Sequence, residues 1–159
     1  MIWEELDDRL IFLNRKEKSA EELLEMAGEI FVQTGVAKSG YSQALLKREI
    51  AFPTGLDTGS LGIAIPHTES CWIRQNALGI IVPLEPVDFI RMGTDREHIS
   101  VKLIFILAVK PGADHVSRLK RLISIFRDEE LLKALASAED KNEIIQRIKR
   151  KEELLCERK

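Results

Sequence analysis

The chain has 159 residues, 45% hydrophobic and 31% charged, which is enough apolar material for one core in a single domain. Its 24 Lys and Arg nearly balance its 26 Asp and Glu, and a formal net charge of -2 argues against a nucleic-acid surface or binding to an anionic membrane. Apolar runs such as residues 103–109 are too short to span a bilayer, and the acidic start M-I-W-E-E-L-D-D lacks the basic region of a secretory signal. Cys71 and Cys156 sit in no metal or redox motif, so a reduced, cytoplasmic setting is the simplest expectation.

In chain order, residues 1–8 read as an acidic, loosely held lead-in. Leu10-Ile11-Phe12-Leu13 reads as a first strand, with a helical turn left open by periodicity alone. Ser19-Ala20-Glu21-Glu22 has the form of a capping box. Leu23, Leu24, Ala27, Ile30 and Phe31 then recur at helical spacing up to Gly35, which predicts a helix over 20–34. A second helix over 39–49 places Tyr41, Leu45 and Arg48 on one face, with Arg48 at its far end. The plain reading of Arg48 there is a solvated charge at the helix terminus.

Residues 51–61 read as loop around the turn signal Pro53-Thr54-Gly55. Residues 62–66 make a short strand. Residues 77–82 make another, with no polar side chain at all, as expected of a central strand covered on both faces. Val87 and Phe89 suggest an edge strand or hairpin arm. Residues 101–109 form the strongest strand and stop at Pro111-Gly112. Asp114 can cap a helix whose expected apolar stripe is Val116, Leu119, Leu122, Ile123 and Phe126. A short helix over 128–137 and a last one beginning at 140–143, carrying Ile144, Ile145 and Ile148, complete the chain. The charged run 141–159 reads as a solvated helix with a fraying tail after Arg150. Strands alternating with helices indicate an α/β or α+β sandwich.

The chemistry concentrates in residues 48–67, R-E-I-A-F-P-T-G-L-D-T-G-S-L-G-I-A-I-P-H. Pro66 fixes its own φ and pushes Ile65 into extended conformation, so His67 follows a stiff strand end. His115 follows the cap residue Asp114 and so opens a helix, where free N–H groups and the helix dipole favour an anion. Neutral imidazole is a nucleophile that is readily reached near neutral pH. Phosphoryl transfer asks mainly for positioning and for stabilisation of spread negative charge. His67, His115, Arg48 and the donors of Thr54 and Gly55 make a set suited to it. His98, in the polar stretch T-D-R-E-H-I-S, reads as surface.

Arg48-Glu49, Thr54-Gly55-Leu56 and Gly62-Ile63-Ala64-Ile65-Pro66-His67, followed downstream by His115, resemble the active-site region of phosphotransferase-system (PTS) enzyme IIA proteins of the fructose–mannitol class. The resemblance covers most of residues 7–150. It implies one IIA domain with a mixed β-sheet flanked by helices on both faces. It further implies that His67 accepts a phosphoryl group from the phosphocarrier protein HPr and passes it to a cysteine of enzyme IIB. His115 and Arg48 then stabilise the phosphoryl group beside Thr54 and Gly55, and neither metal nor nucleotide cofactor is required. The implied setting is cytoplasmic, peripheral to a membrane transporter IIC. Thr68 stands where many members have a small residue, a departure that leans toward the galactitol-type branch. Two alternatives stay open. One is a regulatory, nitrogen-type IIA homologue acting by phosphorylation-dependent protein binding. The other is a hydrolase using His67, His115 and Asp114, which lacks a ligand set at metal spacing.

Overall fold

The computed structural model describes residues 1–158. Six strands form one mixed sheet: β1 (Ile11–Arg15), β2 (Gly55–Asp57), β3 (Gly62–Ala64), β4 (Ala77–Pro83), β5 (Val87–Ile90) and β6 (His98–Ala108). The spatial order is β1-β4-β6-β3-β2, with β5 also paired to β6. β1 runs parallel to β4 and β3 parallel to β6, while β4–β6, β5–β6 and β2–β3 are antiparallel. Five α-helices cover it: α1 (Ala20–Gln33), α2 (Tyr41–Ala51), α3 (His115–Phe126), α4 (Glu129–Ala136) and α5 (Lys141–Glu157).

Side chains alternate across β4 and β6 and so divide the core in two. Ala77, Ile81, Ile104, Ile106 and Ala108 join Leu23, Leu24, Phe31, Tyr41 and Leu45 of α1 and α2. Leu78, Ile80, Val82, Leu103 and Phe105 join Leu122, Ile125, Leu132, Leu135, Ile144 and Ile148 of α3, α4 and α5. Every residue of β4 is buried, as the absence of polar side chains there requires. Phe31 stacks on Tyr41 with ring centroids 5.6 Å apart. Burial of the Tyr41 phenol raises its pKa well above the ordinary value. Gly62 lies so close to β6 that a Cβ there would sit 2.1 Å from the Ser100 carbonyl oxygen. The register between β3 and β6 slips by one residue at the same point, leaving Lys102 exposed between two buried neighbours.

Several boundaries differ from the sequence reading. The loop over 51–61 contains β2, because Gly55, Leu56 and Asp57 pair with Ala64, Ile63 and Gly62 across a tight connection. α2 starts two residues later than the spacing suggested, at Tyr41, after Gly40 in left-handed conformation. Neither chain end behaves as its charge suggested. Ile2 is 1% exposed within a 3-10 turn over Ile2–Glu5, and Glu152 is 0% exposed in α5. The Ile2 and Trp3 N–H groups each donate to the Glu152 carboxylate at 2.8 Å, with Arg121 3.7 Å away. α5 therefore continues to Glu157, and the lead-in is tied down by a carboxylate about 150 positions away in sequence.

The α3 stripe also needs correcting. The helix buries Arg118, Leu122 and Ile125, while Val116, Leu119 and Ile123 are 66%, 54% and 36% exposed. Arg118 sets this rotation. Its guanidinium donates to the carbonyls of Ala77 and Ala108, at the paired ends of β4 and β6, and pairs with Glu5. A charged group that caps strand ends displaces the apolar face outward.

Candidate active site

β3 and β6 are parallel neighbours, so their C-terminal ends lie at the same edge of the sheet. The chain leaving β3 stays beside β6 for three more residues: the Leu107 N–H donates to the Pro66 carbonyl at 3.0 Å, and His67 pairs alongside Leu107. Proline cannot donate to the ladder, which leaves its carbonyl as the anchoring group at this point. His67 is half-buried, and its Nδ1 lies 2.9 Å from the Ile65 carbonyl oxygen. A carbonyl only accepts, so Nδ1 carries the proton and the Nε2 lone pair of the neutral ring stays free.

Arg48 stands in the last turn of α2. Its guanidinium carbon lies 4.0 Å from the Phe52 ring centroid, and Nη1 is 3.5 Å from the Glu69 carboxylate, two residues beyond His67. The Arg48 side chain is 30% exposed, although its Nε is buried without a partner. With one face stacked on Phe52, the guanidinium directs Nη1 toward Glu69. Arg48, Phe52, Glu69 and Trp72 line a hollow of about 490 Å³.

His115 is exposed and opens α3, seven residues after β6 ends. Asp114 caps the helix, accepting from the Ser117 N–H at 3.2 Å, as its sequence position suggested. The Arg118 clamp on Ala77 and Ala108 fixes this first turn onto the sheet edge that carries His67.

Thr54 and Gly55 occupy different positions from an open anion cradle. Thr54 is 2% exposed; its N–H and hydroxyl donate to the two oxygens of Glu49 at 2.9 and 2.8 Å. Its hydroxyl and carbonyl in turn accept from the Ile65 N–H at 3.2 and 3.3 Å. Gly55 packs against β5, where a Cβ would meet the Ile90 carbonyl at 2.6 Å, and its own carbonyl accepts from Met92. These residues shape the strand end behind His67. Glu49, given no role from sequence, holds them there, and burial lifts its carboxyl to about 7 against the opposing pull of the two Thr54 hydrogen bonds. The signal was present as a glutamate five residues before a threonine, but only the turn between them makes the pair. His98 is exposed at the start of β6 and Cys71 is an exposed free thiol; neither joins this group.

Residues 4–151 match the family model described as "Phosphoenolpyruvate-dependent sugar phosphotransferase system, EIIA 2". The galactitol-specific EIIA component of Escherichia coli K12 is 28% identical over 114 residues, covering 72% of this chain and 75% of that protein. The mannitol-specific phosphotransferase enzyme IIA component of Staphylococcus aureus Mu50 is 30% identical over 137 residues, covering 86% and 89%. Among solved structures, the enzyme IIA of the Escherichia coli complex between enzyme IIA-Mtl and phosphorylated enzyme IIB-Mtl superposes with a TM-score of 0.73 at 26% identity, covering 89% of this chain and 95% of that one. With a match across nearly its whole length and the same mixed-sheet fold, this chain belongs to the EIIA 2 family of phosphotransfer proteins of the sugar phosphotransferase system.

Proposed function

We propose that this protein is a phosphohistidine carrier that takes a phosphoryl group from HPr on His67 Nε2 and passes it to a cysteine of enzyme IIB. The observation that carries this reading is the Ile65 carbonyl on His67 Nδ1, which leaves Nε2 as the nucleophilic nitrogen at the edge where β3 and β6 end. In the first half-reaction the Nε2 lone pair attacks phosphorus as the bond to the donor's carrier atom breaks, and the electron pair leaves with that atom. In the second, the IIB thiolate attacks the same phosphorus and the Nε2–P bond breaks, returning neutral imidazole. The proton on Nδ1 stays there throughout, donated to the Ile65 carbonyl.

Arg48 is assigned to the phosphoryl oxygens, with Glu69 as the partner it exchanges for them when phosphate arrives; at 3.5 Å and largely solvated, that pair is weak. His115, at the positive end of α3, is assigned to the same oxygens. Thr54 and Gly55 contribute by setting the strand end. Val116, Leu119 and Ile123, exposed on the helix that His115 opens, suit the brief docking of two partners in turn. Relatives named for galactitol and mannitol make a polyol the substrate class to test first.

The test is phosphorylation from phosphoenolpyruvate with enzyme I and HPr, followed by intact mass. One phosphoryl group on the parent and none on His67→Ala is the expected result. Labelling that persists in His67→Ala, or an unlabelled parent, refutes the reading.

A further inference from the structure

We propose that Glu49 is a positioning residue for His67, acting through Thr54 and Ile65 to hold the ring in one tautomer. The connection is continuous. The Glu49 carboxylate accepts from the Thr54 N–H and O–H at 2.9 and 2.8 Å. The Thr54 hydroxyl, its single proton committed to Glu49, presents its lone pairs to the Ile65 N–H at 3.2 Å. The carbonyl of Ile65 then accepts from His67 Nδ1 at 2.9 Å. With its proton turned toward Glu49, the Thr54 hydroxyl keeps its lone pairs aimed at the Ile65 N–H, and the backbone through Ile65 is held accordingly.

The surroundings support this direction. Thr54 is 2% exposed, so water does not compete for its hydroxyl. The Thr54–Ile65 contact extends the antiparallel ladder of β2 and β3 by one pair beyond Gly55 and Ala64, so Ile65 is gripped from this side. On the other side Leu107 holds Pro66. The carbonyl facing His67 is therefore set between two anchors, one of them Glu49. Without it, the Thr54 hydroxyl is free to turn its lone pairs away, and the Ile65 N–H keeps only its bond to the Thr54 main-chain carbonyl at 3.3 Å, so the grip on the backbone before His67 loosens. His67 would then distribute its proton over both nitrogens, and part of the population would present the wrong one to phosphorus.

The proposal rests on His67 as the phosphoryl acceptor, but its first readout does not. Imidazole nitrogen chemical shifts of His67, measured by NMR in the unphosphorylated protein at about pH 8.5, where Glu49 is a carboxylate, report the tautomer directly. Glu49→Gln keeps the shape and an acceptor for the Thr54 N–H, but its amide donates where the carboxylate accepted. Thr54→Val keeps the shape and removes the hydroxyl. Expected are a single Nδ1–H tautomer in the parent, mixed tautomers in both variants, and no further change in the double variant. Thr54→Ser, which restores the hydroxyl, recovers the parent tautomer. Phosphoryl transfer from HPr slows about tenfold or more in Glu49→Gln with little change in KM, the signature of misplaced reacting atoms. A Glu49→Gln protein with the parent tautomer and transfer rate overturns the proposal, as does a Thr54→Val protein with the parent tautomer. A parent protein that is never labelled overturns the carrier reading instead and leaves the tautomer result to decide this one.

Discussion

Glu49 is also a group through which pH acts on the stability of this fold. Burial raises its carboxyl from an ordinary 4.5 to about 7, even though both oxygens accept hydrogen bonds from Thr54. An acid that holds its proton more tightly in the folded state than in the unfolded one stabilises the fold when protonated. That contribution is fully present below about pH 4.5 and is lost as pH rises through about 7. At about 1.36 kcal/mol per pH unit, the span between the two limits amounts to about 3 kcal/mol. Glu49→Gln is the informative perturbation, since glutamine fills the same space and does not titrate. Urea unfolding of parent and variant, measured from about pH 4 to about pH 9, isolates the effect because every other ionisable group is common to both. The stability of the parent relative to Glu49→Gln should fall by about 3 kcal/mol across that range, equivalent to about 1–3 M in urea midpoint. Parallel curves would refute the argument. A relative stability that rises with pH would show that the two Thr54 donors outweigh burial and that the carboxylate is the favoured form.

Three further outcomes follow from the packing. Glu152→Ala leaves the Ile2 and Trp3 N–H groups without their buried acceptor, and should cost about 2–5 kcal/mol in chemical unfolding with loss of hydrogen-exchange protection at both amides. Gly62→Ala sets a methyl 2.1 Å from the Ser100 carbonyl, so β3 must move off β6; a loss of about 3 kcal/mol or more in stability and slower labelling of His67 are expected, and unchanged thermal unfolding would contradict the close approach. Leu119→Ser, on a side chain 54% exposed, should change stability by less than about 0.5 kcal/mol while raising KM for phosphorylated HPr in the transfer assay, and an unaltered KM would remove α3 from the docking surface.

How much of this was legible before folding is best seen residue by residue. The α1 cap at Ser19, the α3 cap at Asp114, the buried run of β4 and the apolar core of β6 depend on spacings of a few residues, and all stand where the sequence pattern places them. The stiff Ile65-Pro66-His67 exit is equally local. Two of the failures share one cause, a polar group whose partner is distant in sequence, and the third turns on a bend between near neighbours. Glu152 looked solvated because nothing near it explains burial; its donors are Ile2 and Trp3. The outward face of α3 was misread because Arg118 finds Glu5, Ala77 and Ala108 only once the sheet has formed. Thr54 looked like an open donor until the turn after α2 brought it back onto Glu49.

By itself, then, the chain's local chemistry determined its helices, its central strands and which histidine ends a rigid strand. That is so because caps, apolar periodicity and proline act within a turn or two of themselves. Only the tertiary structure decided the parallel pairing of β3 with β6, the hold of Leu107 on Pro66 and the burial of Glu152, because each depends on a partner delivered by a separate element. A buried polar group takes its state from the partner that meets it, and that partner is chosen by the fold.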